Sequence, residues 1–346
     1  YTEKSQRYIT LEGDYVRPAE FKGRELRVFD ETVKIQVETY KKMLPVLFEY
    51  QKKKNPGMLA SKSGLNTVEG WAKEDARYVL PIATECQLGF SANARNLEHI
   101  IRKLKYCGLN EARQLGTMLY EKAKHVVPSL IILSDPDAFK RQFGREVSDG
   151  LLKSGSGSVI KAMSKIRFGK AKPSVKPALL LEHTADPDTK IIAALLHSYS
   201  GRNYGACLAA SVKMGKNAKK VFMKAILRDA TEHDPLYREF EAAVFKMELV
   251  LSSSAFAQLK RHRMMSLFKQ SYDIKLGVTV PPAVKETKQE ALFMKVIEAT
   301  DKAYSRLACA SPEAAQYILT NSHRRRVIIS ANLREIYHIA RLRMDR

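Results

Sequence analysis

The amino-acid sequence predicts an α+β protein, rich in helix, built from two tandem copies of one fold. Three observations carry this. Apolar residues recur at helical spacing through much of the chain. Two short runs, Ala178 to Leu181 and Val244 to Leu251, have the length and apolar character of strands. Finally, Asn93-Ala-Arg-Asn-Leu-Glu-His99 returns as Asn332-Leu-Arg-Glu-Ile-Tyr-His338, with Asn, Arg and His at the same offsets, which marks an internal repeat.

The first helix is expected over Arg27 to Tyr50, where Val28, Val33, Ile35, Val37, Leu44, Val46 and Leu47 alternate with Lys and Glu, disturbed by Pro45. Lys52 to Gly64, with its Lys-Lys-Lys-Asn-Pro-Gly run, reads as a solvated loop. Helices follow over Leu97 to Leu104 and from Glu111 to His125, ending before Pro128. Between Ser148 and Pro177 the composition turns to Ser, Gly and Lys, as a linker does. This gives a first copy at 1–147, a linker at 148–177 and a second copy at 178–346. In the second copy, helices are expected over Thr189 to Tyr199, Ala255 to Arg261, Gln289 to Ala308, Pro312 to Thr320 and Leu333 to Leu342.

Composition narrows the function classes. With 346 residues, 45% of them hydrophobic, the chain has enough apolar mass for about two domains. No apolar stretch approaches the length of a membrane span and no signal-peptide pattern is present at Tyr1, so the expected location is the cytoplasm. Cys86, Cys107, Cys207 and Cys309 are far apart with no CxxC pair. This argues against a disulfide framework or a zinc knuckle and for reduced thiols in or near cores. The net charge of +22 attracts polyanions, phosphorylated metabolites and anionic surfaces alike.

Two short segments carry the chemistry. Gln258-Leu-Lys-Arg261-His262-Arg263-Met-Met-Ser266 sets two guanidinium groups around an imidazole at the end of a helix candidate, an arrangement suited to phosphate or carboxylate oxygens. The alternative for such a triplet is a solvated basic face. In Tyr1-Thr-Glu3-Lys-Ser5-Gln-Arg7-Tyr8 an extended chain turns Glu3, Ser5 and Arg7 to one side, although a terminus also frays easily.

Together these pieces resemble the flavin-dependent thymidylate synthase family, whose signature is RHRxxSxNExSxR. Residues 261 to 266 match its first half and Thr2 to Arg7 its second, with Thr for Asn; Glu74-Asp-Ala-Arg77-Tyr-Val-Leu-Pro81 and both Asn-x-Arg elements extend the likeness. The resemblance implies a mixed sheet with long helices in each copy. It also implies that the first copy lacks its N-terminal part and the second its C-terminal part. After its RHRxxS the second copy has Phe268, Lys269, Ser271 and Asp273 where Asn, Glu, Ser and Arg are expected.

By resemblance, the activity is reductive methylation of dUMP to dTMP by an FAD-dependent methyltransferase that uses methylenetetrahydrofolate and NADPH. The family's nucleotide site forms between subunits. The second copy keeps one wall as Gln258, Arg261 and Arg343, and the first keeps the other as Glu3, Ser5, Arg7 and Arg77. Conversely, Leu104 and Gln316 stand where the late arginine and the counterpart of Arg77 belong. One composite site is therefore expected to be complete and its mate broken. Arg343 would act on the uracil, and the other six residues would hold the nucleotide. His262, Arg263, Asn332, Arg334 and His338 would bind the flavin, together with Glu3, while Asn93, Arg95 and His99 would serve a second flavin position; His233 resembles an upstream flavin contact. No cysteine nucleophile is implied. Two tandem chains would associate into a pseudotetramer. A second reading, a catalytically degenerate protein that binds nucleic acid or another polyanion, rests on the net charge and on Lys52 to Lys54, Lys216 to Lys220 and Arg324 to Arg326.

Overall fold

The computed structural model describes residues 2–3, 11, 13–146, 157–167, 176–231 and 233–344. In chain order the elements are β1 Thr2–Glu3, α1 Gly23–Lys54, α2 Lys62–Ala76, β2 Leu88–Gly89, α3 Ala94–Lys105, α4 Asn110–Ala123, α5 Pro136–Phe143 and α6 Gly157–Met163. They continue with β3 Ala178–His183, α7 Pro187–Ser200, α8 Tyr204–Lys213, α9 Lys216–Ile226, β4 Val244–Ser252, α10 Ser253–Leu259, β5 Met265–Tyr272, α11 Pro282–Glu286, α12 Glu290–Leu307, α13 Pro312–Ala315, β6 Arg324–Asn332 and α14 Leu333–Arg343. The fold is α+β and rich in helix. No helix among the described residues is long and apolar enough to cross a membrane.

The chain divides into two compact units, Tyr1–Pro173 with Val280–Asn321, and Ser174–Thr279 with Ser322–Arg346. Packing thus cuts across the division by repeat, because residues 280–321 of the second stretch pack with the first. Within 148–177 the described part includes the helix α6, so that stretch is not linker throughout.

In the first unit, α1 runs unbroken through Pro45. Phe29, Val33, Tyr40, Met43 and Leu47 lie on one face and are fully buried, and anchoring on both sides of the proline offsets the backbone bond it cannot make. The lysines read from sequence as a loop are the last turn of α1, where ammonium groups are favoured beside the negative end of the helix dipole. The remainder of that expected loop forms a 3-10 turn at Pro56–Ala60 and then starts α2, which Ser61 caps by accepting from the Gly64 amide at 3.0 Å. A side chain at Gly64 would drive its Cβ to 2.0 Å from the Met58 carbonyl oxygen, so this close crossing requires glycine.

Phe21, Phe29, Val33 and Ala83 share one core with Ala303, Leu307, Ala314, Ala315 and Ile318. Buried Gln36 of α1 donates through Nε2 to Thr300 Oγ1 and to the Ile318 carbonyl, both at 2.8 Å. The stretches Tyr78-Val-Leu-Pro81 and Tyr317-Ile-Leu-Thr320 meet antiparallel at Pro81 and Thr320. They bond reciprocally, Ile82 N to Leu319 O at 2.7 Å and Asn321 N to Leu80 O at 3.0 Å. The helix expected over Pro312 to Thr320 accordingly stops at Ala315 and, after the turn Gln316–Ile318, straightens at Leu319.

The second unit is built on a four-stranded sheet in the order β3-β4-β6-β5. Every pairing is antiparallel, where the resemblance implies a mixed sheet. Along β6, Arg325, Val327, Ile329 and Ala331 are buried and alternate with half-buried residues, the period of two expected of a sheet covered on one face. Phe256 of α10 covers Val327 and Ile329, with Met247, Leu249, Met265 and Leu267 around them. A second cluster joins Ile191 and Leu195 of α7 to Phe240 and Ala243.

Among the four free cysteines, Cys207 is buried and Cys107 half-buried, but Cys86 and Cys309 are exposed. The expectation that all four lie in or near cores is thereby corrected. Cys309 sits just beyond the end of α12, where the helix face no longer turns into the core.

Replacing Gln36 by Met keeps its bulk but leaves the Ile318 carbonyl and the Thr300 hydroxyl buried without that donor. Urea unfolding should show a loss of about 1–3 kcal/mol; an unchanged midpoint would show that water replaces the bond.

Candidate functional site

The constellation begins with a helix cap. Asn332 Oδ1 accepts from the Glu335 amide at 2.9 Å, which fixes where α14 starts. From that start Glu335 and His338, three residues apart, fall on neighbouring positions of one helix face. The helix is tied to the segment before β4 by two of its arginines. Arg334 donates through Nε to the Leu236 carbonyl at 2.8 Å and through Nη1 to Glu241 at 3.0 Å, and Arg341 donates to the Asp234 carbonyl at 3.4 Å.

Against α14 lies the turn that follows α10. In it Arg261 and Arg263 are exposed while the histidine between them is turned inward, His262 being only 7% exposed. Its Nδ1 lies 3.5 Å from Glu335 Oε1, and its Nε2 accepts from Arg343 Nε at 3.4 Å. The His338 ring meets it edge-on, with centroids 5.6 Å apart. Burial and the Arg343 charge hold the His262 pKa below the ordinary histidine range, against the opposing pull of Glu335. A neutral imidazole with its proton on Nδ1 satisfies both contacts: it donates toward Glu335 and leaves Nε2 free to accept from Arg343.

Beside this chain of contacts opens a cleft of about 380 Å³ lined by Pro235, Leu236, Arg334, Glu335, Tyr337, His338 and Arg341. An aromatic ring, two guanidinium groups and an imidazole around one cleft suit a ligand with a planar ring and phosphate oxygens. Nearby in sequence, Gln258 Oε1 is buried with no donor to satisfy it, a polar atom that an incoming N–H or O–H would complete.

Eight of the expected site residues, Gln258, Arg261, His262, Arg263, Asn332, Arg334, His338 and Arg343, thus lie in one unit, on α10, the turn after it, the end of β6 and α14. The others belong to the first unit. Arg77 closes α2, and its carbonyl accepts from Asn321 Nδ2 at 3.2 Å. Asn93 caps α3 as Asn332 caps α14, accepting from the Asn96 amide at 2.9 Å, with Arg95 and His99 exposed along the helix. Glu3 is placed by its backbone, which pairs with Leu88; Ser5 and Arg7 lie outside the described residues. Phe268 and Lys269 pair with Ile328 and Val327 as Thr2 and Glu3 pair with Gly89 and Leu88.

Sequence reasoning missed Glu335. A buried carboxylate one position beyond an Asn-x-Arg element was its only signal, and burial is not visible in a string of letters. The Arg324 to Arg326 run, read as a candidate polyanion surface, is engaged internally. Arg324 donates to Thr279 at 3.0 Å, Arg325 is buried against aromatic rings, and Arg326 pairs with Glu248 at 2.8 Å.

A UPF0159 protein of Chlamydia muridarum is 27% identical over 355 residues, covering 99% of this chain and 66% of that protein. A flavin-dependent thymidylate synthase of Clostridium tetani is 33% identical over 141 residues, covering 39% of this chain and 53% of the other. The chain therefore spans less than two thirds of the length of these relatives. Among solved structures, the UMP/dUMP methylase PolB of Streptomyces cacaoi bound with 5-Br dUMP aligns with 47% of this chain and 75% of its own at 16% identity and a TM-score of 0.36, a likeness too distant to bear on the site. The family described as thymidylate synthase complementing protein matches residues 1–129 and 179–346, and the chain belongs to that family.

Proposed function

We propose that this chain is part of a flavin-dependent thymidylate synthase that converts dUMP to dTMP with methylenetetrahydrofolate and NADPH, using one composite nucleotide site. The observation that supports it most is the chain of contacts Glu335–His262–Arg343, because it joins the RHR histidine to the late arginine that the family resemblance assigns to the uracil. Arg343 is exposed at the end of α14 and restrained on its Nε side by His262. The rest of its fork is directed by that restraint, and the guanidinium stabilises negative charge developing on uracil N3 and O2. Gln258 offers an unsatisfied acceptor to the nucleotide, and Arg261 an exposed guanidinium to its phosphate. Glu3, Ser5, Arg7 and Arg77 form the other wall in this reading.

The residues around the cleft fit FAD, with Arg334 and His338 as holding groups and Arg263, in the turn after α10, joining them in this reading. When bound, FAD supplies the hydride carrier. Arg334 is already committed to Leu236 and Glu241, so it acts on a ligand through whatever donors remain and by fixing the loop that forms one wall of the cleft. Two tandem chains associate in the same reading.

Purified full-length chain should be yellow, and its flavin absorption should change on adding dUMP. Arg343→Ala and Arg261→Ala should each weaken dUMP binding roughly 10- to 100-fold, the loss of one charge-assisted bond. Unchanged affinity in Arg77→Ala with the flavin retained would remove the composite site and leave the cofactor reading standing; colourless protein would remove both.

The neutral state of His262 has a pH signature. Its pKa is depressed in the folded chain, so its contribution to stability is complete above the unfolded histidine value of about 6.5. That contribution is lost as pH falls through the folded value, and the acceptor for Arg343 goes with it. dUMP affinity should therefore decline on the acid side of neutrality. Because Glu335 pulls the imidazole pKa upward, Glu335→Gln should move that decline to lower pH; a shift to higher pH would contradict the arrangement.

A further inference from the structure

The face of β6 covered by α10 is aliphatic at Val327 and Ile329, yet one step along the same face, at Arg325, it carries a guanidinium. Arg325 is only 7% exposed. Its Cζ lies 3.7 Å from the ring centroid of Tyr272, its partner on β5, and 4.8 Å from that of Phe256 on α10. These rings cover the group but carry no negative charge to balance it. Its Nε is buried with no acceptor, and among the described residues no carboxylate pairs with it.

Two more cations converge there. Lys269 stands on the edge strand β5 opposite Val327, one same-face position from Arg325, and Lys260 follows the last residue of α10. Lost solvation, then repulsion from Arg325 and Lys260, lowers the Lys269 pKa, and burial lowers that of Arg325. Neither lysine forms an ion pair among the described residues. A buried guanidinium with no hydrogen-bond acceptor and two like charges beside it is costly unless something completes it. Sequence supplies the sharpest contrast: Lys269 occupies the ladder position held by Glu3 in the first copy.

We propose that Arg325, Lys269 and Lys260 form a binding site for a phosphoryl group, on inorganic phosphate or on a phosphate monoester. With the Tyr272 and Phe256 rings packed against the guanidinium, its N–H edge is what the proposal assigns to a ligand, and that edge matches paired oxyanion oxygens. Three cations at one place also call for more than one negative charge, which a phosphate monoester carries near neutrality and a carboxylate does not.

The test is thermal unfolding of the full chain at constant ionic strength, titrated with inorganic phosphate, dUMP or deoxyuridine. Phosphate should raise the wild-type midpoint by several degrees. That shift should fall by half or more in Lys260→Ala and vanish in Lys269→Glu, and it should persist in Arg261→Ala, whose guanidinium is assigned to the nucleotide. Without phosphate, Lys269→Glu should melt higher than wild type, because the new carboxylate supplies the missing counter-charge. A response to dUMP, absent with deoxyuridine and abolished by Lys269→Glu, would identify a nucleotide phosphate as the source; a response to inorganic phosphate alone would identify the free ion. A full phosphate shift in Lys269→Glu, loss of the shift in Arg261→Ala, or no shift in wild type would each overturn the proposal. Flavin absorption is read separately in every variant, so failure of the flavoenzyme reading is distinguishable from failure of this one.

Discussion

Residues 280–321 bury their apolar face in a core that the first hundred residues also line. Phe29 and Val33 of α1 face Ala303 and Leu307 of α12, and the backbone joins them through the reciprocal bonds at Leu80 and Leu319. A long amphipathic helix such as α1 cannot remain folded with that face in water, because most helix stability in proteins comes from packing and not from propensity. The chain leaves this core at Asn321 to begin β6, the strand that ends at the Asn332 cap. The position of α14 along its own strand is thus set by the sheet register, with Val244 opposite Asn332.

Much of this was legible in the letters because it is local. The spacing in α12, the asparagine that starts each Asn-x-Arg helix and the apolar run of β4 all state their roles within a dozen residues. What escaped was non-local or disguised. Lys52 to Lys54 look like loop residues until the dipole of a helix 32 residues long is taken into account. The alternation of β6 is hidden because its first inward position is an arginine, which a hydrophobicity pattern counts as outward. β5 directly follows a cationic triplet and carries Lys269 and Gln270 among its apolar residues, so the run failed the same criterion. The chemistry of the candidate site was read from the RHR and Asn-x-Arg motifs, but its organising contact, Glu335 against His262, required two segments more than seventy residues apart to be brought together.

The two stretches that share the Asn-x-Arg element differ at corresponding positions. α3 and α14 open with the same asparagine cap, yet the residue whose amide donates the capping bond is Asn96 in one and Glu335 in the other. The ladders β1–β2 and β5–β6 share a register, yet present Glu3 in one and Lys269 in the other. The capping bond is donated by a backbone amide and the register is set by backbone pairing, so each tolerates a change of side chain at the donating or paired residue. A duplicated fold can therefore keep its architecture while the charge at an equivalent position changes from acidic to neutral, or reverses.

Whether a buried ionisable group organises a site or awaits a ligand turns on its nearest partners. His262 has a carboxylate on one ring nitrogen and a guanidinium donor on the other, and its depressed pKa leaves it neutral, so burying it costs little and the contact can hold Arg343 in place. Arg325 is as deeply buried but cannot shed its proton at any ordinary pH, and aromatic faces return only a small part of the lost hydration, about 2 kcal/mol for a desolvated stack. The difference does not lie in how much surface each side chain hides. An imidazole can become neutral and a guanidinium cannot, so the first settles into the fold as a positioning group and the second retains a demand for an anion that the described residues do not meet.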